Sequence, residues 1–273
     1  MKETKEKQIE SVVKYKSLNK ALRVLECFTI ETPELGISDI SKMLGLNKSN
    51  VFDILATFEA REYVHKDPST NKYSLYNASL RLAGVMNRTR LSKDEMSMMA
   101  RNLARETNET VYYGILYNNH VMYLDYVSAA NGIVPMQFIG APAPLHCTAT
   151  GKAILSVMSK EDVEDVVSQG LTRYTENTLD TPDKLFADLE KIRQRGYSID
   201  NMEHEYGIKG IGMVVKDTTG HQYAAISVSG PSLRFNDDSI PKIVHSIKKN
   251  IGKLSTSILN EQEEAMCIKK MNF

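Results

Sequence analysis

The sequence has no excess of either charge, little cysteine and no long apolar run. Thirty-four Lys/Arg balance thirty-four Asp/Glu, which argues against a nonspecific polycation. Three cysteines, Cys27, Cys147 and Cys267, are too few and too scattered for a disulfide framework or a paired-cysteine metal site. No apolar stretch is long enough to span a bilayer. The opening residues, MKETKEKQIESVVKYK, are charged and lack the apolar core of a secretion signal. These absences predict a cytoplasmic chain that meets no membrane. What is present is ordinary for a globular protein: 42% hydrophobic and 25% charged residues, in 273 residues, enough for two domains.

The charge is unevenly placed. Residues 14–88 hold eleven Lys/Arg and eight Asp/Glu, whereas 89–273 hold twenty and twenty-three. The sign suits a DNA-binding front end, and the size is too small to establish one.

The stretch from Gly36 to Tyr63 reads as two short helices joined by a tight turn. Ser38 is placed to cap the first, with Asp39 in its first turn. Ile40, Met43 and Leu44 make an apolar stripe. Gly45 ends this helix, because it takes the left-handed conformation without strain. Asn47 is placed to cap the second helix. There, Val51, Ile54, Leu55 and Phe58 form a buried face at helical spacing. The opposite face carries Lys48, Ser49, Asn50, Phe52, Asp53 and Thr57. Most helix pairs are plain packing. However, Tyr63–Lys66, a turn at Asp67–Asn71 and Lys72–Leu75 then read as strand, turn, strand. A hairpin in this place is the wing of a winged helix-turn-helix, whose second helix enters the DNA major groove. The expected DNA contacts are Ser38, the six residues of the open helix face, and Lys66 and Lys72 of the wing. The lysines would touch phosphates and set position rather than sequence.

Elsewhere, residues 1–13 read as a tail. Leu18, Ala21, Leu22, Leu25 and Phe28 predict a helix packed under the helix-turn-helix, and Ala78–Arg90 a stiff connecting helix. Ser92 and Glu95 form a capping box ahead of an apolar stripe of Met96, Met99, Ala100, Leu103, Ala104 and Thr107, which core packing explains better than a methionine-rich binding surface. Strands are predicted at 110–117, 121–127, 134–139, 212–216 and 223–228, the last two around a turn at 216–220. Helices start near Thr148, Ser159 and Pro182, the third closing at Gly196. A long terminal helix is marked by Ile240, Ile243, Val244, Ile247, Ile251, Leu254 and Ile258. Hairpins mixed with helices give an α+β sheet domain with helices covering one face.

In this order the motifs LNKALRVLECF, ISDISKMLGLNKSNVFDILATFEAREYV, NKYSL, PLHCTATGKAIL, EHEYGIKGIGMVV and AAISVSGPSLRF resemble the IclR family of bacterial transcription regulators, over roughly residues 16–260. The resemblance implies a winged helix-turn-helix at 14–76, a linker helix at 77–91 and a GAF-like mixed α/β effector-binding domain at 92–262, between tails at 1–13 and 263–273. It implies a repressor that acts as a homodimer or tetramer on double-stranded operator DNA under control of a small organic-acid effector. No enzyme activity, cofactor or metal is implied. One departure stands out: the family usually has Arg where this chain has Asp53. An acid is repelled by phosphates, yet it can accept from the cytosine amino group.

The effector positions that the resemblance carries over are Ala149, Thr150, Asp200, Gly210, Ser227 and Ser229. Ala149 and Thr150 sit at a helix start, where free N–H groups favour an anion. Ser227 and Ser229 lie two apart on a strand, so both hydroxyls face one side. Asp200 has to accept from a ligand hydroxyl or be protonated. The set therefore suits a hydroxy- or keto-acid. Gly210 stands where many relatives have Cys, which reshapes the cavity. The alternative reading is that the serines merely satisfy sheet-edge groups.

His146–Cys147 could suggest a nucleophile and base, but neighbours on an extended segment point to opposite faces, and His146 reads better as a loop holder. His146, Cys147 and His204 match no metal-ligand spacing. Gly207, Gly210 and Gly212 lack the context of a dinucleotide-binding loop. The competing function is a small-molecule sensor or enzyme of this fold that has lost operator binding.

Overall fold

A computed structural model of the chain describes residues 12–89, 93–129, 139–140, 142–216 and 223–253. The chain divides into two compact units, Met1–Arg90 and Leu91–Phe273. The expected tails, the capping box at Ser92, residues 134–138 of the predicted strand, the turn at 217–220, and Leu254 and Ile258 lie outside the described residues.

The first unit contains α1 (Lys16–Leu25), β1 (Glu34–Leu35), α2 (Ile37–Leu44), α3 (Lys48–Ala60), β2 (Val64–Lys66), β3 (Tyr73–Leu75) and α4 (Asn77–Thr89). Its core gathers Val24, Cys27, Phe28, Leu35, Ile40, Val51, Leu55, Val64 and Tyr73. Strand β1, too short to leave a sequence pattern, pairs with β3 to make a three-stranded sheet in the order β1-β3-β2. That pairing brings the chain into α2 early, so Gly36 rather than Ser38 is the cap. The Asp39 carboxylate accepts from the Gly36 N–H at 3.0 Å. Gly45 takes φ +66°, as its place after α2 requires. Asn47 does precede α3, but its side chain makes no capping bond.

Two apolar assignments in this unit are corrected. Leu18 and Leu22 are 57% and 47% exposed, and Val24 is buried instead. The reason is that α1 stops at Leu25, so Cys27 and Phe28 reach the core from the turn beyond it, off the helical period. Met43 is 54% exposed, because α2 is only two turns long and seats itself through Ile40.

The second unit contains α5 (Lys93–Thr107), β4 (Thr110–Tyr117), β5 (His120–Val127), β6 (Pro142–Ala143), α6 (Ala149–Leu155), α7 (Lys160–Ser168), α8 (Pro182–Arg195), β7 (Ser198–Asn201), β8 (Ile208–Lys216) and β9 (Tyr223–Pro231). A 3-10 turn (Ser232–Arg234) and a helix α9 across 239–253 follow. The strands form one antiparallel sheet in the order β6-β5-β4-β9-β8-β7. The β4–β5 turn places Asn118 and Asn119 at φ +50° and +60°, a conformation asparagine tolerates.

Helices cover both faces of this sheet, not one. Met96, Met99 and Leu103 of α5 and Ile243 and Ile247 of α9 pack on Val111, Ile211, Ile226 and Val228. Ile154 and Leu155 of α6, Val163 of α7 and Leu185 and Leu189 of α8 pack on Val121, Tyr123 and Ala225. Neighbouring residues 225 and 226 of β9 thus serve opposite cores, as strand alternation dictates.

Helix α6 lies unusually close to the sheet. A Cβ on Gly212 would come within 2.3 Å of the Ala149 carbonyl oxygen, and one on Gly151 within 2.4 Å of the Leu145 carbonyl oxygen. Gly212→Ala should therefore force α6 off the sheet and lower stability by about 1–3 kcal/mol. Gly252→Ala, with open space around the new methyl, should not. Thermal unfolding followed by circular dichroism compares the two, and equal melting temperatures for parent and Gly212→Ala would refute the tight seat.

Candidate functional site

In the first unit, α3 turns Val51 and Leu55 inward and leaves Lys48, Ser49, Asn50, Phe52, Asp53 and Thr57 exposed, together with Ser38 on α2. All seven are available at one side or end of the helix pair. Thr57 is already committed in part, since its hydroxyl donates to the Asp53 carbonyl at 2.8 Å. In the wing, the Asp67 carboxylate accepts from the Ser69 N–H and hydroxyl at 2.7 and 2.6 Å, which fixes the tip. These bonds hold the Asp67 carboxyl below its usual range. Lys72 is exposed. Lys66 is half-buried, its ammonium 5.8 Å from the centre of the Tyr73 ring, so it is less free than Lys72 to reach a phosphate.

In the second unit, sheet register assembles the expected effector positions. Asp200 pairs with Gly210, Gly210 with Ser229, and Ser229 with Thr110. Two residues along, Ser198 pairs with Gly212, Gly212 with Ser227, and Ser227 with Tyr112. The rows share a face, and a glycine in each leaves a trough between polar side chains. The resulting cleft, a cavity of about 50 Å³, is lined by Tyr112, Tyr123, Thr148, Ala149, Asp200, His204, Glu205, Ile208, Ser227 and Ser229. Of the six expected residues, Ala149, Asp200, Ser227 and Ser229 line it. Gly210 lies beneath it: a Cβ there would meet the Ser229 Oγ at 2.7 Å and the Ala149 Cβ at 3.0 Å. Thr150 is fully buried behind it and donates to the Ser227 Oγ at 2.9 Å. This leaves the Ser227 proton available to a ligand.

Sequence reasoning missed Tyr112, Tyr123, Thr148, His204, Glu205 and Ile208. Thr148 caps α6, accepting from the Gly151 N–H at 3.1 Å and donating to the Pro144 carbonyl at 2.7 Å. Burial pushes the Tyr112 hydroxyl up to about 12 and the Tyr123 hydroxyl higher still, so both remain protonated donors. His204 packs on Tyr174, 4.9 Å between ring centres, and Tyr174 on His146 at 6.2 Å. Burial lowers both histidines below their usual value, which favours neutral rings.

Among the described residues, no Lys or Arg lines the cleft. Lys152 of α6 acts on Asp200 electrostatically but is paired elsewhere. Its ammonium is buried between Glu203 and Asp188, at 2.6 and 2.8 Å. Glu203 also accepts from the Asn201 N–H at 3.2 Å through the same Oε1, and its N–H donates to the Asp200 carboxylate at 2.8 Å. Among the described residues, Glu203 Oε2 has no hydrogen-bond partner. Burial, then the Glu203 charge, pushes Asp200 up to about 7, and burial also raises Glu203. Burial thus favours the protonated form of Asp200, which can donate as well as accept.

His146 and Cys147 play the quieter parts. His146 Nε2 bonds the Thr172 carbonyl at 2.9 Å, which tethers the loop. Cys147 is fully buried and burial raises its thiol well above the usual range, the opposite of an activated nucleophile.

Asp200 binds its proton more tightly in the folded chain than in the unfolded one. Its contribution to stability is therefore neutral below the ordinary carboxylate range and becomes increasingly unfavourable as pH rises through about 7. Asp200→Asn keeps the acceptor for the Glu203 N–H and removes the charge. It should gain stability over the parent as pH rises from about 5 to about 8, by an amount on the order of 3 kcal/mol at the upper end. A melting-temperature difference that stays flat across that range would show that Asp200 is not the group being desolvated.

Comparison with known proteins places these two units. The IclR helix-turn-helix domain matches residues 17–68, and the bacterial transcriptional regulator IclR C-terminal domain matches residues 84–256. The HTH-type transcriptional regulator KdgR of Dickeya chrysanthemi is 31% identical over 252 residues, covering 90% of this chain and 81% of that protein. The transcriptional repressor IclR of Escherichia coli K12 is 28% identical, covering 82% and 83%. Among solved structures, the Thermotoga maritima IclR superposes with a TM-score of 0.69 at 25% identity, covering 88% of this chain and 98% of that one. An IclR homolog from Microbacterium hydrocarbonoxydans, complexed with 4-hydroxybenzoate, gives 0.75 at 19% identity, covering 88% and 99%. With the C-terminal family domain alone matching well over half its length, the chain belongs to the IclR family of bacterial transcriptional regulators.

Proposed function

We propose that this regulator is a cytoplasmic repressor, homodimeric or tetrameric, whose grip on double-stranded operator DNA is set by a small hydroxy- or keto-acid bound in the cleft of the second unit. Residues 14–76 read the operator, 77–91 link, and 92–262 bind the effector. One observation carries the ligand class: Asp200, Ser227 and Ser229, far apart in sequence, share a cleft with the hydroxyls of Tyr112 and Tyr123. An anionic ligand there is held by the hydroxyls of Ser227, Ser229 and Tyr112. Asp200 meets the ligand's second oxygen, accepting from a hydroxyl when ionised and donating to a carbonyl when protonated. Gly210 leaves the space, and Ala149 and Thr150 position the wall. The chain performs no catalysis in this reading.

Removing either serine deprives the carboxylate of a charge-assisted hydrogen bond, so Ser227→Ala and Ser229→Ala should each weaken effector binding roughly tenfold to hundredfold. With the parent, affinity for a keto-acid should fall as pH rises through about 7, because the ionised Asp200 repels the ligand. Asp200→Asn should remove that dependence. Calorimetry against a panel of small acids measures both. A ligand that binds the parent and all three variants equally, with the same pH profile, would eliminate this cleft as the effector site.

On the DNA side, Asn50 and Lys48 at the start of α3 meet base edges, Ser38, Ser49, Asp53 and Thr57 flank them, and Lys66 and Lys72 sit over the backbone. Asn50→Ala should lose about 1–3 kcal/mol on the operator and relax one base position. Lys72→Ala should weaken binding to every sequence alike and flatten its salt dependence. Fluorescence anisotropy at several salt concentrations separates the two patterns. Parent-like binding by Asn50→Ala, Lys48→Ala and Lys72→Ala together would overturn the assignment of α3 and the wing.

A further inference from the structure

Phe52 is 50% exposed on α3, although Val51 before it and Leu55 after it are fully buried. It is the largest apolar side chain on the open part of that helix. Its surroundings are not those of a protein-binding patch: Lys48 lies one turn earlier on the same side, and Ser49, Asn50 and Asp53, all exposed and polar, complete the N-terminal half. An interface between proteins centres on contiguous apolar surface, and this face has one ring.

We propose that Phe52 selects thymine, by packing its ring on the C5-methyl group exposed in the major groove. The proposal rests on the reading of α3 as the groove-entering helix. Along a major groove the phosphates and nearly all base-edge atoms are polar, and a phenyl ring pressed on them strips water without replacing its hydrogen bonds. Thymine alone offers a methyl group. Wedging between base pairs is a minor-groove device and does not suit a ring on the flank of a major-groove helix. The neighbour of Phe52 agrees with this. Asp53 is repelled by phosphates, so this turn of α3 is fitted to base edges and not to the backbone.

The test uses the full chain and an operator obtained by selection from random DNA. Each thymine of that site is replaced in turn by deoxyuridine, which pairs identically and lacks only the methyl group. One such position should weaken the parent roughly fourfold, the worth of one buried methyl. The same replacement should leave Phe52→Ala unaffected. Phe52→Ala should match the parent in melting temperature and in the salt slope of binding, because it is exposed and touches no phosphate. If deoxyuridine at every position acts equally on parent and Phe52→Ala while Lys48→Ala and Asn50→Ala still lose affinity, the thymine proposal falls and the α3 reading stands. If all three variants bind like the parent, the α3 reading falls with it. If Phe52→Ala changes the oligomeric state in sedimentation, the ring belongs to a protein contact, and the proposal is overturned.

Discussion

The effector-side structure depends on how closely α6 lies on the sheet. Ser198 donates to the Ala149 carbonyl at 2.5 Å, a bond possible only because Gly212 and Gly151 put hydrogen where any other residue would put a methyl group. This seat sets the height of everything that follows. It lowers Thr148 and Ala149 to the rim of the cleft. It brings the Thr150 hydroxyl to Ser227 across 77 positions of sequence. It also carries Lys152, one turn after Thr148 and Ala149, into the interior, where Glu203 and Asp188 receive it. The cleft-lining row and the charged interior both follow from a single helix placement.

That interior is costly. Lys152, Glu203 and Asp200 are each under a tenth exposed, and taking such charges out of water is repaid only by good geometry and full pairing. The pairing is incomplete: Glu203 spends Oε1 on two donors while Oε2 has none among the described residues, and Asp200 must share the low-dielectric space with it. A proton on Asp200 relieves the repulsion. The same proton removes one negative charge from the wall of the cleft. Electrostatic relief inside the fold and the charge of the cleft wall thus draw on one titration.

Helical period made much of this molecule legible in advance. Residues Val51, Leu55, Ile40, Leu103, Ile243 and Ile247 bury as their spacing requires, and Gly45 and Gly196 end their helices in the left-handed conformation. Three short strands escaped. β1 and β6 have two residues each, and β7, SIDN, buries a serine and an aspartate where a strand signal needs apolar residues. Position within a helix was also harder to read than its existence. Leu18 and Leu22 match a stripe, but the helix stops at Leu25; Phe28 of that stripe is buried as expected, and Val24 and Cys27 bury in place of the two leucines. For the cleft, Ser227, Ser229 and Asp200 are found through strand alternation and family motif. Tyr112, Tyr123 and His204 come from separate elements and carry no local signal. Lys152 was invisible because lysine is almost always a surface residue.

On the DNA side, the two departures from a generic phosphate-binding surface sit next to each other. Phe52 and Asp53 are both exposed in the N-terminal half of α3, and neither an apolar ring nor an acid is attracted by the phosphate backbone of DNA. The small net basic charge of the front end points the same way: attraction of long range is weak here, so discrimination has to come from contacts at the base edges. An effector can then act on this protein only through a difference in its affinity for the DNA-bound and free states. By linkage, operator DNA changes effector affinity by the same factor. The size of that factor therefore sets how far the effector can shift operator occupancy.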